Sequence, residues 1–152
     1  MNEITEFGHN VVKMAAKMSD REKVLLIERE MFKAPQLSIK TKHYFSDGVY
    51  AREIYIPAGT LLTGKLHKFR QLNIVSLGDI SVLLAGGIKR ITAPYTVVSP
   101  PGTKRIAYAH VDTVWTTILR TDSDDLDEIE DHFIAKDEAD YLEFCRTLQI
   151  GK

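Results

Sequence analysis

Three clusters of basic residues in the middle of the chain could attract a small, negatively charged molecule. They are Lys65, Lys68 and Arg70, then Lys89 and Arg90, and then Lys104 and Arg105. Lysine and arginine carry positive charge, and the planar guanidinium of arginine matches the geometry of a carboxylate or a phosphate. A phosphate, a nucleotide or a carboxylate is therefore the kind of partner that these clusters favour.

The surrounding sequence predicts strands flanked by helices. Ser19 and Glu22 form an S-x-x-E capping box for a helix over residues 20–33, and the composition of residues 11–18 favours a further helix before it. From Leu37 the apolar residues recur with a period of two, which is typical of strands. The predicted strands cover residues 37–45, 49–56, 61–67, 72–77, 80–84, 88–92, 95–98, 103–110 and 113–120.

Short strands separated by regular turns indicate an antiparallel sandwich or barrel. After residue 121 the helical period returns, first over residues 126–133 and then over 141–148. A chain of 152 residues has the length of one domain. We therefore expect one compact domain with three segments: a helical segment at residues 1–36, a β-barrel at 37–121 and acidic helices at 122–152.

Two motifs in the predicted β region resemble those of the cupins, a superfamily of small jelly-roll barrels. The first cupin motif is spaced G-x5-H-x-H-x3,4-E-x6-G, and the matching positions here are Gly59, Lys65, His67, Gln71 and Gly78. The second is spaced P-x-G-x2-H-x3-N, and its matching positions are Pro100, Gly102, Arg105 and Ala109. The resemblance covers roughly residues 49–120. It implies a mainly β fold, a single-domain cupin jelly-roll β-barrel with N-terminal and C-terminal α-helices.

The resemblance also implies a set of four polar residues at the positions that hold a metal ion in other cupins, where lysine and arginine are unsuited to coordinate one. Metal-binding cupins hold a divalent ion with three histidines and a glutamate at these positions, and only His67 is kept here. The fold would bring Lys65, His67, Gln71 and Arg105 together inside the barrel, where two cations favour an anion over a metal ion. We expect these four residues to bind the ligand, with no metal and no other cofactor. The alternative is a barrel in which they pair with internal acids or reach solvent.

The charges are distributed unevenly along the chain. Residues 49–120 carry nine Lys or Arg and three Asp or Glu, whereas residues 121–152 carry three and eleven. The acidic run from Asp122 to Asp131 is either a solvated helix start or a segment that folds over a basic surface of the barrel. If a bulge shifts the strand, His67, His110 and Asp112 form an alternative metal site.

Three functional hypotheses stay open. In the first, the protein is a metal-independent cupin-like module that binds a small anionic ligand, a metabolite or a nucleotide-like molecule. In the second, it is a metal-independent isomerase or lyase with His67 as acid or base, since cupins include epimerases. In the third, it is a structural or host-interaction protein without small-molecule chemistry, because the helix–barrel–helix layout also resembles small cupin-like proteins of tailed phages and prophages.

Composition narrows the partners and the compartment. A single cysteine, the absence of an apolar run of membrane-spanning length and an amino terminus unlike a secretory signal favour the cytoplasm, the host's if the protein is phage-encoded. The basic residues are not interleaved with aromatic ones, which argues against nucleic acid as a partner. The predicted first strand, residues 37–45, is of the kind that pairs across a two-fold axis, so we expect a homo-oligomer, most simply a dimer.

Overall fold

The computed structural model describes residue 13 and residues 17–84 and 87–150. The chain divides into two compact units, residues 1–37 and 38–152. The predicted helix at residues 11–18 lies mostly outside the described residues. No helix in the described part of the chain is long and apolar enough to cross a membrane.

The first unit contains helix α1 (Asp20–Met31). Its N-terminus is the predicted capping box, because the backbone N–H of Ser19 donates to Glu22 Oε2 at 2.6 Å and the backbone N–H of Glu22 donates to Ser19 Oγ at 3.2 Å. These bonds satisfy N–H groups that have no partner inside the helix. The helix ends two residues before the predicted position 33, ahead of Pro35, since the residue before a proline disfavours helical backbone angles.

The second unit is mainly β, with all strand pairs antiparallel. The strands are β1 (Lys40–Ser46), β2 (Val49–Ile56), β3 (Leu61–Thr63), β4 (Leu66–His67), β5 (Gln71–Leu77), β6 (Asp79–Leu84), β7 (Gly87–Thr92), β8 (Tyr95–Ser99), β9 (Ile106–Ala109), β10 (Thr113–Arg120) and β11 (Ile134–Ala135). The helices are α2 (Leu126–Phe133) and α3 (Glu138–Ile150). A five-stranded sheet of order β1-β2-β10-β5-β8 faces a four-stranded sheet of order β3-β9-β6-β7, and β4 pairs with β11.

Most predicted strands are confirmed to within one residue, and three are corrected. The predicted strand at residues 37–45 begins only at Lys40, as β1. The predicted strand at residues 61–67 is interrupted at Gly64 and Lys65, because β3 pairs with β9 whereas β4 pairs with β11. The predicted strand at residues 103–110 shortens to β9, since Thr103 belongs to the turn and donates from Oγ1 to the carbonyl of Pro100. The short strand β11 was not predicted.

The core lies between the two sheets, where alternate residues of each strand point inwards. Its buried residues are Ile56, Val75, Ile80, Val82, Ile91 and Ala109. The turn before β6 depends on Gly78, which has a φ of 109°. A Cβ at that position would lie 2.7 Å from the Cα of Thr113, so the last glycine of the first motif permits close backbone packing.

Helix α2 covers one end of the barrel. Ile129 and Phe133 of α2 form a buried cluster with Tyr50 of β2 and Leu119 of β10. The helix begins at Asp125, whose side chain accepts from the backbone N–H groups of the next turn at 2.9 and 3.1 Å. The acidic run therefore starts a helix, as one of the two sequence interpretations states, and the apolar face of that helix closes the barrel.

Candidate functional site

The barrel encloses two adjoining chambers. The inner chamber has a volume of about 90 Å³ and lies between the sheets, and the outer chamber has a volume of about 270 Å³ and lies beneath α2. Arg52, Lys65, His67 and Thr117 line both chambers and so mark the junction between them.

The alternation of β2 sets the order of the chambers. Tyr50 lines the outer chamber, Arg52 lines both, and Ile54 and Ile56 line the inner one. Because every second side chain of a strand points to the same face, these four residues form one row that runs into the barrel. Arg52 is the cation of this row, and the sequence analysis did not identify it.

All four residues selected from the sequence line the inner chamber. Gln71 and Arg105 line that chamber alone, whereas Lys65 and His67 also face the outer one. Lys65 does not share a strand with His67 as expected, because it lies in the connection between β3 and β4. The motif positions therefore converge, although one of them does so from a loop.

The acidic segment supplies a partner for Lys65. Its Nζ forms an ion pair with Glu130 of α2, and both side chains stay nearly half exposed. Nearby, Lys68 Nζ donates to the backbone carbonyl of Asp131 at 3.0 Å and lies 3.9 Å from Asp140 Oδ2. The acidic run thus also folds over basic residues of its own barrel, and the interpretation with internal acids holds for Lys65.

The two arginines have no such partner. Within the described part of the chain, the guanidinium groups of Arg52 and Arg105 make no hydrogen bond and no ion pair. Arg105 Cζ lies 6.0 Å from the ring centroid of Trp115, a cation–π contact. Burial lowers the pKa of Arg105, because a low-dielectric environment disfavours the charged form. Trp115 itself lines the inner chamber and packs against the core.

His67 lies in a strongly positive environment. Burial lowers its pKa to about 3, and the neighbouring charges of Arg52, Arg105, Lys65 and Lys104 contribute in the same direction. The imidazole is therefore neutral at pH 7. Its Nδ1 is buried and has no hydrogen-bond partner among the residues described.

Gln71 presents a second buried polar atom to the inner chamber. Only 5% of the residue is exposed, and its Oε1 lacks a partner in the described ranges. The next inward residue of β5 is Asn73, which is 2% exposed and fully bonded through both amide atoms. One unpartnered atom therefore lies at the junction of the two chambers and the other in the inner chamber beside it.

These residues do not fit the divalent ion that a cupin barrel can hold. A divalent ion needs several nitrogen, sulfur or oxygen donors, and the motif positions supply one imidazole and one amide beside two cations. Across residues 17–84 and 87–150, no three His, Cys, Asp or Glu side chains are placed to hold a metal ion.

The alternative metal site of His67, His110 and Asp112 does not form. His110 Nε2 is 2.7 Å from Ser81 Oγ, and its ring packs against Tyr108. Asp112 Oδ1 accepts from the backbone N–H of Ala58 at 2.9 Å. Neither residue lines the inner or the outer chamber.

Comparison with known proteins places the fold. No protein-family profile matches the chain, and no curated protein matches its sequence. The chain is structurally similar to KdgF from Halomonas sp. (20% identity, TM-score 0.50, covering 61% of this chain and 89% of that one). It is also similar to a cupin superfamily protein from Desulfitobacterium hafniense (11% identity, TM-score 0.47, covering 59% and 83%). An RmlC-like cupin from Shewanella frigidimarina has 20% identity and a TM-score of 0.47, with coverage of 57% and 78%.

At these identities the similarity concerns the fold alone. The chambers of this fold are lined by side chains from both sequence motifs. The antiparallel sheets and the similarity to KdgF show the mainly β, jelly-roll type of fold that the two motifs predict.

Proposed function

We propose that the protein binds a small anion at the junction of the two chambers, where Arg52 and Arg105 hold it. The observation that carries this proposal is the Arg105 guanidinium, which lies inside the barrel with no carboxylate partner among the described residues. An uncompensated buried charge destabilises a fold, whereas a guanidinium forms paired, charge-assisted hydrogen bonds with a carboxylate or a phosphate. A bound anion would offset that destabilisation.

The balance of charge at the junction supports an anion over a cation. Arg52, Lys65 and Arg105 line the chambers there, and Glu130 is the one carboxylate among the described lining residues. Because Glu130 already pairs with Lys65, the two arginines are left to attract a negatively charged ligand.

Two further polar groups support a ligand at the same place. Buried polar atoms in native proteins nearly always have a hydrogen-bond partner. Nδ1 of His67 and Oε1 of Gln71 have none in the part of the chain that the structure describes. An oxygen of the anion can accept from Nδ1–H of His67, and a hydroxyl of the ligand or a bound water can donate to Oε1 of Gln71.

The chamber volumes limit the size of the ligand. Pockets that enclose drug-sized ligands have volumes of roughly 300–1,000 Å³. The inner chamber, at about 90 Å³, is too small for a nucleotide and admits only a compact group. Any larger part of the ligand would lie in the outer chamber of about 270 Å³.

In the proposed site, His67 acts as a neutral hydrogen-bonding group and not as an acid or base. A general acid or base works best when its pKa is near the operating pH, and burial among cations lowers the pKa of His67 to about 3. We therefore favour metal-independent binding over isomerase or lyase chemistry at His67.

Isothermal titration calorimetry with inorganic phosphate and with acetate, in a chloride-free buffer, tests the proposal. The protein is expected to bind at least one of the two anions. Arg105→Ala is expected to weaken that binding at least tenfold, because a hydrogen bond to a charged group contributes about 1.5–3 kcal/mol.

Arg90→Ala is the matched control. Arg90 lies outside the chambers and already forms a two-pronged ion pair with Asp79, at 2.8 and 2.7 Å. It should leave anion affinity unchanged. Absence of binding heat with both anions, or equal affinities for Arg105→Ala and the unsubstituted protein, would contradict the proposal and favour a structural or host-interaction role.

The homo-oligomer stays a prediction, and the structure supplies a surface for it. Strand β1 is the edge of the five-stranded sheet, and its Tyr44 and Phe45 are 48% and 45% exposed. An edge strand with exposed aromatic side chains favours pairing with a second copy. Light scattering should give twice the 17.2 kDa chain mass, and Thr41→Pro on β1 should reduce the measured mass to one chain.

A further inference from the structure

The inner chamber changes from polar to apolar along its strands. On β2, Arg52 at the junction is followed inwards by Ile54. Across the barrel, the chain passes from Arg105 to Ala107 of β9. In both sheets the next inward side chain after the arginine is apolar, so the chamber has a cationic entrance and an apolar interior.

The strand registers place the apolar wall in one layer. Leu62 of β3 and Val82 of β6 are both paired with Ala107, and Trp115 of β10 is paired with Ile54. All five line the inner chamber.

Trp115 does not offer the chamber a free donor. Its Nε1–H donates to Asn73 Oδ1 at 3.1 Å. The layer beyond the arginines therefore gives a ligand apolar surface, and burial of apolar surface is favourable.

The outer chamber is less suited to an apolar group. Apolar side chains such as Ile129 and Phe133 line part of it, but it is also lined by the carboxylate of Glu130 and by His43 and Tyr50, whose Nδ1 and hydroxyl are 2.8 Å apart. Placing an apolar group there would desolvate these polar atoms, which costs free energy. The inner chamber has no carboxylate among its described lining residues.

We infer that the anion bound by Arg52 and Arg105 carries a short apolar group that enters the inner chamber, as a short-chain carboxylate or phosphonate would. This inference rests on the proposed function. The arginines select the charged end, and the layer of Leu62, Val82 and Ala107 selects the length of the apolar end. A guanidinium binds a carboxylate and a phosphonate equally well in its geometry, so the experiment must distinguish these two head groups.

The test is a calorimetric titration of the protein with acetate, propionate, butyrate, hexanoate and octanoate, and with methyl-, ethyl- and propylphosphonate. Affinity should rise about fourfold for each methylene that enters the apolar layer. The increase should reverse before octanoate, because the inner chamber is only about 90 Å³. The series with the higher affinity at equal chain length identifies the head group.

Two substitutions in the apolar layer change the chamber in opposite directions. Ala107→Leu fills it and should remove the preference for butyrate over acetate while acetate still binds. Leu62→Ala enlarges it and should move the optimum to a longer chain. If one variant fails to fold, the other still tests the length dependence, and Ile129→Ala in the outer chamber is the matched control that should leave the optimum unchanged.

The outcomes separate this inference from the proposed function. If Arg105→Ala abolishes binding but affinity is independent of chain length, anion binding stands and the apolar group is wrong. If length dependence follows Ile129→Ala and not the inner-chamber variants, the apolar end lies in the outer chamber and the inference is also wrong. If no carboxylate, phosphonate or phosphate binds, the proposed function itself fails.

Discussion

Two polar clusters lie side by side in the same barrel, and they differ in how completely they are bonded. The first surrounds Asn73, whose Nδ2 donates to Ser99 Oγ at 2.7 Å. Its Oδ1 accepts from Trp115 Nε1 at 3.1 Å and from Thr117 Oγ1 at 2.8 Å. This network spans β5, β8 and β10 and bonds both amide atoms of a residue that is 2% exposed.

The second cluster lies one step towards the outer chamber. There, Nδ1 of His67 and Oε1 of Gln71 have no hydrogen-bond partner among the described residues, and the guanidinium of Arg105 has no hydrogen bond or ion pair there beyond its cation–π contact with Trp115. Gln71 and Asn73 are two residues apart on β5 and so lie on the same face of the strand. One face of β5 therefore holds both a hydrogen-bonded amide and an amide with an unpartnered oxygen. The missing bonds are therefore local to the inner chamber and its junction, where we propose that an anion binds, whereas the bonded cluster holds strands together.

The largest expected effect concerns the bonded cluster. Asn73→Ala should lower the free energy of unfolding by about 3 kcal/mol, because it leaves buried groups of Ser99, Trp115 and Thr117 without partners. Urea denaturation followed by tryptophan fluorescence measures this change. Thr117→Val is the control, because it removes only one hydrogen bond and should have about a third of the effect. If Asn73→Ala were as stable as the unsubstituted protein, the hydrogen-bonded cluster would not be structural and the contrast with the second cluster would be wrong.

Removing a charge from the unbonded cluster should act in the opposite direction. Arg105→Met keeps an apolar stem and removes an unpaired, partly buried charge, so the ligand-free protein should become more stable by about 1 kcal/mol. Anion binding should be lost in the same variant. Arg90→Met, on the exposed and paired arginine, should not stabilise the protein. A fall in urea midpoint for Arg105→Met would show that Arg105 has a structural partner.

The pH dependence of stability gives a smaller signal from the same cluster. The folded-state pKa of His67 is about 3, below its ordinary value of 6.5, so between these values the unfolded chain binds a proton that the folded chain does not. Stability is therefore retained above pH 6.5 and decreases as the pH falls, by up to about 1.4 kcal/mol per pH unit from this group.

The measurement is the difference between the unsubstituted protein and His67→Gln. Urea midpoints from pH 7 to pH 4 should fall more steeply for the unsubstituted protein, because glutamine does not titrate. Saturating anion at the junction should reduce the difference, since negative charge favours the protonated imidazole. Parallel pH profiles would mean that His67 is not held neutral by its surroundings.

Motif spacing was enough to find part of the site. A fixed number of residues between a turn glycine and the following positions places His67 and Gln71 on defined strands, and the second turn does the same for Arg105. The hydrophobic period also gave most strand limits, because inward and outward residues alternate in a half-buried sheet. Local geometry of this kind can be read from a sequence.

The remaining parts depend on contacts between distant segments. Glu130 is 65 residues from Lys65, and no spacing rule connects them, although the opposite charges of the two segments are visible in the sequence. Arg52 was missed although it carries a local signal. It shares the inward face of β2 with Ile54 and Ile56, and a charged residue at an inward position of a strand is itself an indication of a site.

The smallest expected effect concerns the ion pair between Lys65 and Glu130, because of which the charge of Lys65 is compensated while the charges of Arg52 and Arg105 are not. Because Lys65 and Glu130 are 48% and 43% exposed, Glu130→Gln should change the free energy of unfolding by less than about 0.5 kcal/mol. It should nevertheless strengthen anion binding about twofold to threefold, since Lys65 then adds its charge to the junction and the repulsive carboxylate is gone. Glu143→Gln, on an exposed pair with Arg146 outside the chambers, is the control and should change neither quantity. Weaker anion binding in Glu130→Gln would mean that the ion pair with Glu130 positions Lys65 for the ligand. The ion pair and the unpaired arginines would then belong to one binding site.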